Sequence, residues 1–228
     1  MPALLLIRHG QGRDPTTAGG YDGLSEIGGK QASRVGEALM HAGVDFSRTY
    51  AGPLIRQVRT AQFAMGESGA LRSLAELAEH AGHEVVAHVL ANPSAADPET
   101  TALLANPDRA SPARMVASVV RGWALGRIQA PVSEDFSAFR ARVGRGLQLL
   151  CKHLTGTDVA IAFTSGGFIG AAVAQALGLD DVAAVELGLQ VDNASITELR
   201  FGSKEINRFT LKRFNGVGHL PPELITGI

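Results

Sequence analysis

Ala3-Leu4-Leu5-Leu6-Ile7-Arg8-His9-Gly10-Gln11 sets an uninterrupted apolar run directly against an arginine, a histidine and a glycine. A short apolar run without alternation reads as a strand covered on both faces, the kind found in parallel sheets flanked by helices. Where the run stops at charged groups, the backbone leaves the core. Open α/β sheets bind ligands outside the carboxyl ends of their strands, so Arg8 and His9 are expected to face a cleft. Gly10 is expected to let the backbone turn sharply there.

Working outward, Gln11 to Gly23 is rich in Gly, Thr, Asp and Pro and reads as an irregular lip of that cleft. Ser25 is placed to cap a helix whose apolar positions Ile27, Ala32, Val35, Ala38 and Leu39 run to a stop near Gly43. Phe46 to Ala51 reads as a short second strand. After Pro53, the residues Leu54, Val58, Ala61 and Met65 fall on one helical face, with Arg56 and Thr60 on a neighbouring one. Arg56 lies in the first turn after the strand, where it can lean toward Arg8 and His9. Val159 to Phe163 is a second run of buried-strand type, followed by Thr164-Ser165-Gly166-Gly167 and an apolar helix from Phe168 to Leu177. The N–H groups opening that helix are donors suited to an anion.

From Leu74 to about Pro131 strand signals vanish, and helical pieces are broken by Asn92-Pro93, Asp97-Pro98, Asn106-Pro107 and Ser111-Pro112. Trp123 reads as core. Glu134 to Leu154 is a helix in which Phe139, Val143, Leu147 and Leu150 are interleaved with Arg140, Arg142 and Arg145, read as a solvated face. Ser195–Phe201 and Asn207–Phe214 alternate with period two around Gly202-Ser203-Lys204-Glu205, an antiparallel hairpin at a sheet edge.

The 228 residues, 45% hydrophobic and 19% charged, suffice for one α/β domain with a sizeable core and argue against disorder. A formal net charge of −1 offers no broad attraction to nucleic acid or anionic membrane, so an anion site has to be local. The single cysteine, Cys151, sits in an apolar helical run and reads as a buried small hydrophobe. The first apolar run is short and lacks a basic region ahead of it, so neither a signal peptide nor a membrane span is expected, and the cytoplasm is the expected location. A dinucleotide site at Gly166-Gly167-x-x-Gly170 lacks the first G-x-G and a following acidic residue, and no P-loop is present.

Arg8-His9-Gly10 after an apolar strand resembles the opening of the histidine phosphatase superfamily, the phosphoglycerate-mutase-like fold. Gly52-Pro53-Leu54-Ile55-Arg56-Gln57-Val58-Arg59-Thr60-Ala61 is similar to its S-P-L-x-R-A-x-x-T-A segment, and Leu24-Ser25-Glu26-Ile27-Gly28-Gly29-Lys30-Gln31-Ala32 to its L-T-x-x-G-x-x-Q-A. A fourth match lies at Gly166. The resemblance implies a three-layer α/β/α sandwich over residues 1–228 as a single domain. Its sheet is mostly parallel with an antiparallel edge hairpin, and a helical cap insert spans about 74–133.

The chemistry agrees with the residues. A neutral imidazole is a good nucleophile, and a guanidinium can hold two phosphate oxygens at once. His9 is therefore the candidate nucleophile, and Arg8, Gly10, Gln11, Arg56, Ser165 and Gly166 are the candidate phosphate ligands. The implied reaction is transfer of a phosphoryl group from a small phosphorylated metabolite to His9 and then to water, with no metal or cofactor. A leaving alkoxide needs a proton. The resemblance puts the acid in an L-x-E context, where Leu74-Ala75-Glu76 fits first and Leu77-Ala78-Glu79 is its rival.

The chief departure is Ser165, where the family usually has the histidine of S-H-G-G. Mutases of the family continue with an S-x-W-N-type segment, whereas this chain has Gln11-Gly12-Arg13-Asp14. Mutase activity is thus the first alternative, and a phospho-ligand binding protein with little turnover the second. His219 on a C-terminal loop reads as structural or exposed. No nucleic-acid or membrane partner is expected, and a homodimer stays open.

Overall fold

The computed structural model describes residues 1–13, 22–66, 70–106, 111–202 and 205–227. The expected lip residues 14–21, Pro107 and the hairpin-turn residues 203–204 lie outside them. Strands β1 (Ala3–Arg8), β2 (Thr49–Ala51), β3 (Leu71–Ser73), β4 (Val159–Thr164), β5 (Ile196–Gly202) and β6 (Glu205–Gly216) form a six-stranded sheet in the order β3-β2-β4-β1-β5-β6. All residues of β1 are buried, as an unbroken apolar run requires of a central strand. β1 pairs in parallel with β4, with Arg8 opposite Thr164, and β4 in parallel with β2, with Ala51 opposite Phe163. Their carboxyl ends therefore reach one edge of the sheet together. His9, Gly52 and Ser165 are the next residues along. β5 runs antiparallel to β1 and β6 antiparallel to β5, which is the expected edge hairpin.

Alternation along β1 divides the core. Leu5 and Ile7 pack with Val35 and Leu39 of α1 (Glu26–His41) and with Ala61, Ala64 and Met65 of α2 (Ile55–Met65). Between β3 and the later helices, the chain runs through α3 (Gly82–Ala91), α4 (Pro98–Leu104) and α5 (Pro112–Ala124), and the last two carry proline at the start and side-chain caps from Asp97 and Ser111. Leu4 and Leu6 face the other layer, where α6 (Phe136–Cys151), α7 (Gly166–Leu177) and α8 (Asp181–Leu189) join the insert's Val85, Val120 and Trp123 in one apolar cluster. The three-layer α/β/α arrangement is thus as expected. Cys151 is buried there, and burial pushes its thiol up to about 12, which makes it inert packing. Among the described residues no helix is long and apolar enough to cross a membrane.

Three features differ from the expectations. Phe46–Arg48 is a 3-10 turn, with Asp45 accepting from the Ser47 N–H, so the second strand is only Thr49–Ala51. β3 and α8 lack sequence signals of their own. Gly10 has no positive φ. Its glycine is needed because a Cβ there would lie 2.4 Å from the Gly28 carbonyl oxygen of α1. Gly170, likewise, is a helix contact, since a Cβ would meet the Gly188 nitrogen of α8 at 2.3 Å.

Candidate active site

His9 is fixed from its backbone outward. Its N–H donates to the Thr164 carbonyl at 2.9 Å, and its carbonyl accepts from Ala194 N–H at 3.2 Å and Asn193 Nδ2 at 3.3 Å. The ring then has one arrangement. Nδ1 lies 2.8 Å from the Gly10 carbonyl oxygen, which can only accept, so Nδ1 carries the proton. That leaves the lone pair on Nε2, which accepts from Arg56 Nε at 3.0 Å. Burial, and then the charges of Arg8 and Arg56, hold the imidazole well below its ordinary value of 6.5, so it is neutral.

The motif residues around it are braces. Thr60 Oγ1 accepts from Gly10 N–H at 3.0 Å and donates to the Arg56 carbonyl at 2.6 Å, tying the end of β1 to the first turn of α2. Gln31 Oε1 accepts from Gln11 N–H at 2.8 Å, and its amide nitrogen reaches the Leu224 carbonyl at 2.7 Å. The guanidinium of Arg8 is turned back toward the segment before β5, where Nη1 donates to the Val191 carbonyl. Arg56 is buried, and its Nη1 pairs with Asp22 at 3.0 Å. Asp22 also accepts from Ile55 N–H, the first of α2, at 3.0 Å. A carboxylate thus occupies the position at Arg56 and the helix opening where an anionic group is best received. Sequence reasoning had no signal for Asp22 within the irregular lip.

The opposite wall is the opening of α7 and the turn before α3. Ser165 is fully buried, and its hydroxyl accepts from Gln57 Nε2 at 2.8 Å, while the same amide donates to the Leu77 carbonyl at 3.1 Å. Gly52 makes room for this side chain, since a Cβ there would lie 2.1 Å from Gln57 Oε1. Gly52, Gln57 and Ser165, each a departure from the motifs matched above, are therefore one packed group. Gly166 passes close to Arg8, whose Nε would lie 3.6 Å from a Cβ at that position.

Of the two glutamates, Glu79 reaches this wall. Its Oε2 accepts from Gly167 N–H at 3.3 Å and its Oε1 from His80 N–H at 3.0 Å. Glu76 turns toward α6, where its Cβ would lie 3.2 Å from a Cβ at Gly146. The geometry thus favours Glu79, the reverse of the order that the L-x-E context suggests. Burial pushes the Glu79 carboxyl up, but the neighbouring His80, the N–H groups of His80 and Gly167, and the Arg56 charge outweigh it and leave the carboxyl below its ordinary value. The turn is held from α6: Arg142 donates to the carbonyls of Glu76 at 2.9 Å, Ala78 at 2.8 Å and Glu79 at 3.2 Å, and pairs with Glu134. Arg142 is thus a brace and not part of a solvated face. His219 lies on another side, bonded through Nε2 to the Ala194 carbonyl at 3.0 Å. Among the described residues no group of three His, Cys, Asp or Glu side chains is placed to hold a metal ion.

A family model described as histidine phosphatase superfamily (branch 1) matches residues 4–215. No curated protein sequence matches the chain. Among solved structures, a phosphoserine phosphatase from Entamoeba histolytica in complex with 3-phosphoglyceric acid is 19% identical, covers 97% of this chain and 100% of its own, and superposes with a TM-score of 0.63. A mycobacterial glucosyl-3-phosphoglycerate phosphatase is 23% identical over 94% of this chain and 98% of its own, with a TM-score of 0.64. An alpha-ribazole phosphatase from Shigella flexneri is 19% identical over 95% and 98%, with a TM-score of 0.60. At these identities the likeness is one of fold.

Proposed function

Because the chain belongs to the histidine phosphatase superfamily, we propose that it hydrolyses small phosphomonoesters through a phosphohistidine formed on His9. The observation that carries this reading is the imidazole itself, neutral and buried, with its lone pair on Nε2 facing the Arg56 guanidinium and the Arg8 charge nearby. Bound phosphate draws Arg56 from Nε2 and Asp22 onto its own oxygens, since a dianion is the stronger acceptor. Nε2 is then free to attack phosphorus. The N–P bond forms as the ester P–O bond breaks, and the electron pair leaves on the alkoxide oxygen.

Glu79 supplies the proton. The dianion adds negative charge beside a carboxyl that Arg56 and the two N–H groups otherwise keep ionised, and this raises its proton affinity when substrate is present. In the second half, the Glu79 carboxylate takes a proton from water as the water oxygen attacks phosphorus. The N–P bond breaks and returns its pair to Nε2. Arg8, Arg56 and the Gly167 N–H stabilise the charge spread over the equatorial oxygens in both halves.

The test is a panel of phosphorylated metabolites assayed with and without a chelator, joined to a trapping experiment. Turnover is expected to survive the chelator, and label from a phosphorylated substrate to appear on His9. Label on a serine or aspartate, or undiminished activity in His9→Ala, would exclude this mechanism.

A further inference from the structure

The groups that would grip a phosphoryl group come largely from one side. Arg56 reaches His9 from α2 and Arg8 stands at the end of β1, whereas on the wall formed by α7 and the turn before α3 the Gly167 N–H is already engaged by Glu79 Oε2 at 3.3 Å. Ser165, at the head of α7, turns its hydroxyl into the interior against Gln57. Among the described residues, His80 is a charge-capable donor on that wall. Its ring lies over the first turn of α7, so that a Cβ built on Gly167 would be 2.4 Å from Cδ2 and 2.7 Å from Nε2.

The tautomer of this ring is fixed by its hydrogen bond. Nδ1 accepts from the Gly82 N–H at 3.0 Å, so the proton of the neutral imidazole is on Nε2, the nitrogen beside Gly167. The ring is also held in place. Trp123 and Phe139 contact it edge to face, with centroids 5.8 Å and 5.3 Å away, and Arg142 fixes the backbone of the turn that carries it. Nε2 lies 3.8 Å from Glu79 Oε1, beyond hydrogen-bond distance. A donor preorganised in this way stabilises charge that develops on a transferring group more than a mobile one does.

We propose that His80 is a catalytic residue of this site, donating its Nε2–H to an oxygen of the phosphoryl group from the side opposite Arg8 and Arg56. The proposal rests on the phosphatase reading above. It moves no proton and forms no covalent bond, and its effect is to complete the ring of donors around phosphorus.

The experiment compares His80→Phe with His80→Gln. Phenylalanine keeps the aromatic packing and removes the donor, while glutamine sacrifices packing and retains an N–H at similar reach. Both lose the bond from Gly82, so that loss is common to the pair. With p-nitrophenyl phosphate as substrate, His80→Phe should lose about 10²-fold in kcat, the size found when one oxyanion donor is removed. It should also bind orthovanadate about tenfold more weakly while melting near the wild type. His80→Gln should recover about a tenth or more of the wild-type kcat.

Wild-type kcat and vanadate affinity in a folded His80→Phe, or a His80→Gln no better than His80→Phe, would overturn the role of His80 and leave the phosphatase reading intact. A wild-type protein that neither turns over p-nitrophenyl phosphate nor binds vanadate would overturn both.

Discussion

Burial and the charges of Arg8 and Arg56, which keep the proposed nucleophile His9 neutral, also make the fold sensitive to acid. The folded pKa lies well below 6.5, the value an exposed imidazole keeps in the unfolded chain. Between the two values the unfolded chain binds a proton that the native protein does not, so native stability is undiminished above 6.5 and falls as pH drops below it. The slope for one group is about 1.4 kcal/mol per pH unit in that window. His219, whose pKa burial also lowers, adds a slope of the same sign, so a difference measurement is needed. His9→Gln removes only the His9 part. Relative to wild type, its melting temperature should rise between about pH 7.5 and about pH 5.5; a constant offset would mean that His9 protonates freely in the native protein. That Arg8, His9 and Arg56 come together is legible because each sits in a motif of fixed order. Asp22, Gln57 and His80 are not, because their partners are brought to them only by the fold. Nothing in an Ala-Glu-His-Ala stretch announces that its imidazole lies over the first turn of α7.

At the scale of elements, α6 matters to the site although none of its residues belongs to it. A helix with arginines interleaved among core positions reads from sequence as amphipathic with a wet face, and Arg145 fits that reading, being exposed. Arg142 does not, because the turn from Glu76 to Glu79 comes down onto its guanidinium and presents carbonyl groups to it. Three carbonyls and the Glu134 carboxylate need a planar fork with several donors, which lysine lacks. Arg142→Lys should therefore destabilise the protein by about 1.5–3 kcal/mol, the range for hydrogen bonds to a charged group, and reduce kcat by letting Glu79 and His80 shift. Arg145→Lys should do neither. Melts and kinetics on the pair check this, and equal behaviour would show that the turn holds its own shape. The same limit explains the elements that sequence missed. β3 is three residues long and becomes a strand only by pairing with β2. α8 presents apolar residues all round, so periodicity gives it no signature until α7 packs on it through Gly170 and Gly188.

Across the whole molecule, the sheet's function is to collect these groups. Arg8 and His9 follow β1, Arg56 opens α2, Glu79 and His80 precede α3, and Gly167 opens α7. No short piece of the chain holds more than a fragment of the site, so an anion that needs all of them binds the folded protein and not the unfolded chain. Such a ligand stabilises by mass action, about 2.7 kcal/mol at a hundredfold excess over its dissociation constant. For a chain of this size that corresponds to an upward shift in Tm of about 5–10 °C. Orthovanadate should produce that shift in the wild type. In Arg56→Ala, at the same concentration, the shift should shrink to between about one half and about one seventh, because losing a charge-assisted contact of about 1.5–3 kcal/mol lowers affinity roughly ten- to a hundredfold. Removal of Arg56 also breaks the Asp22 pair and alters the starting Tm, so it is the shift and not the absolute value that is compared. Arg59→Ala is the control, since Arg59 is exposed on α2 and, among the described residues, bonds locally to Gln62 at 3.3 Å and lies over Phe63. Its shift should match the wild type. Equal shifts in all three proteins would place the anion away from Arg56, and the cleft at the carboxyl ends of β1 and β4 would no longer be the phosphate site.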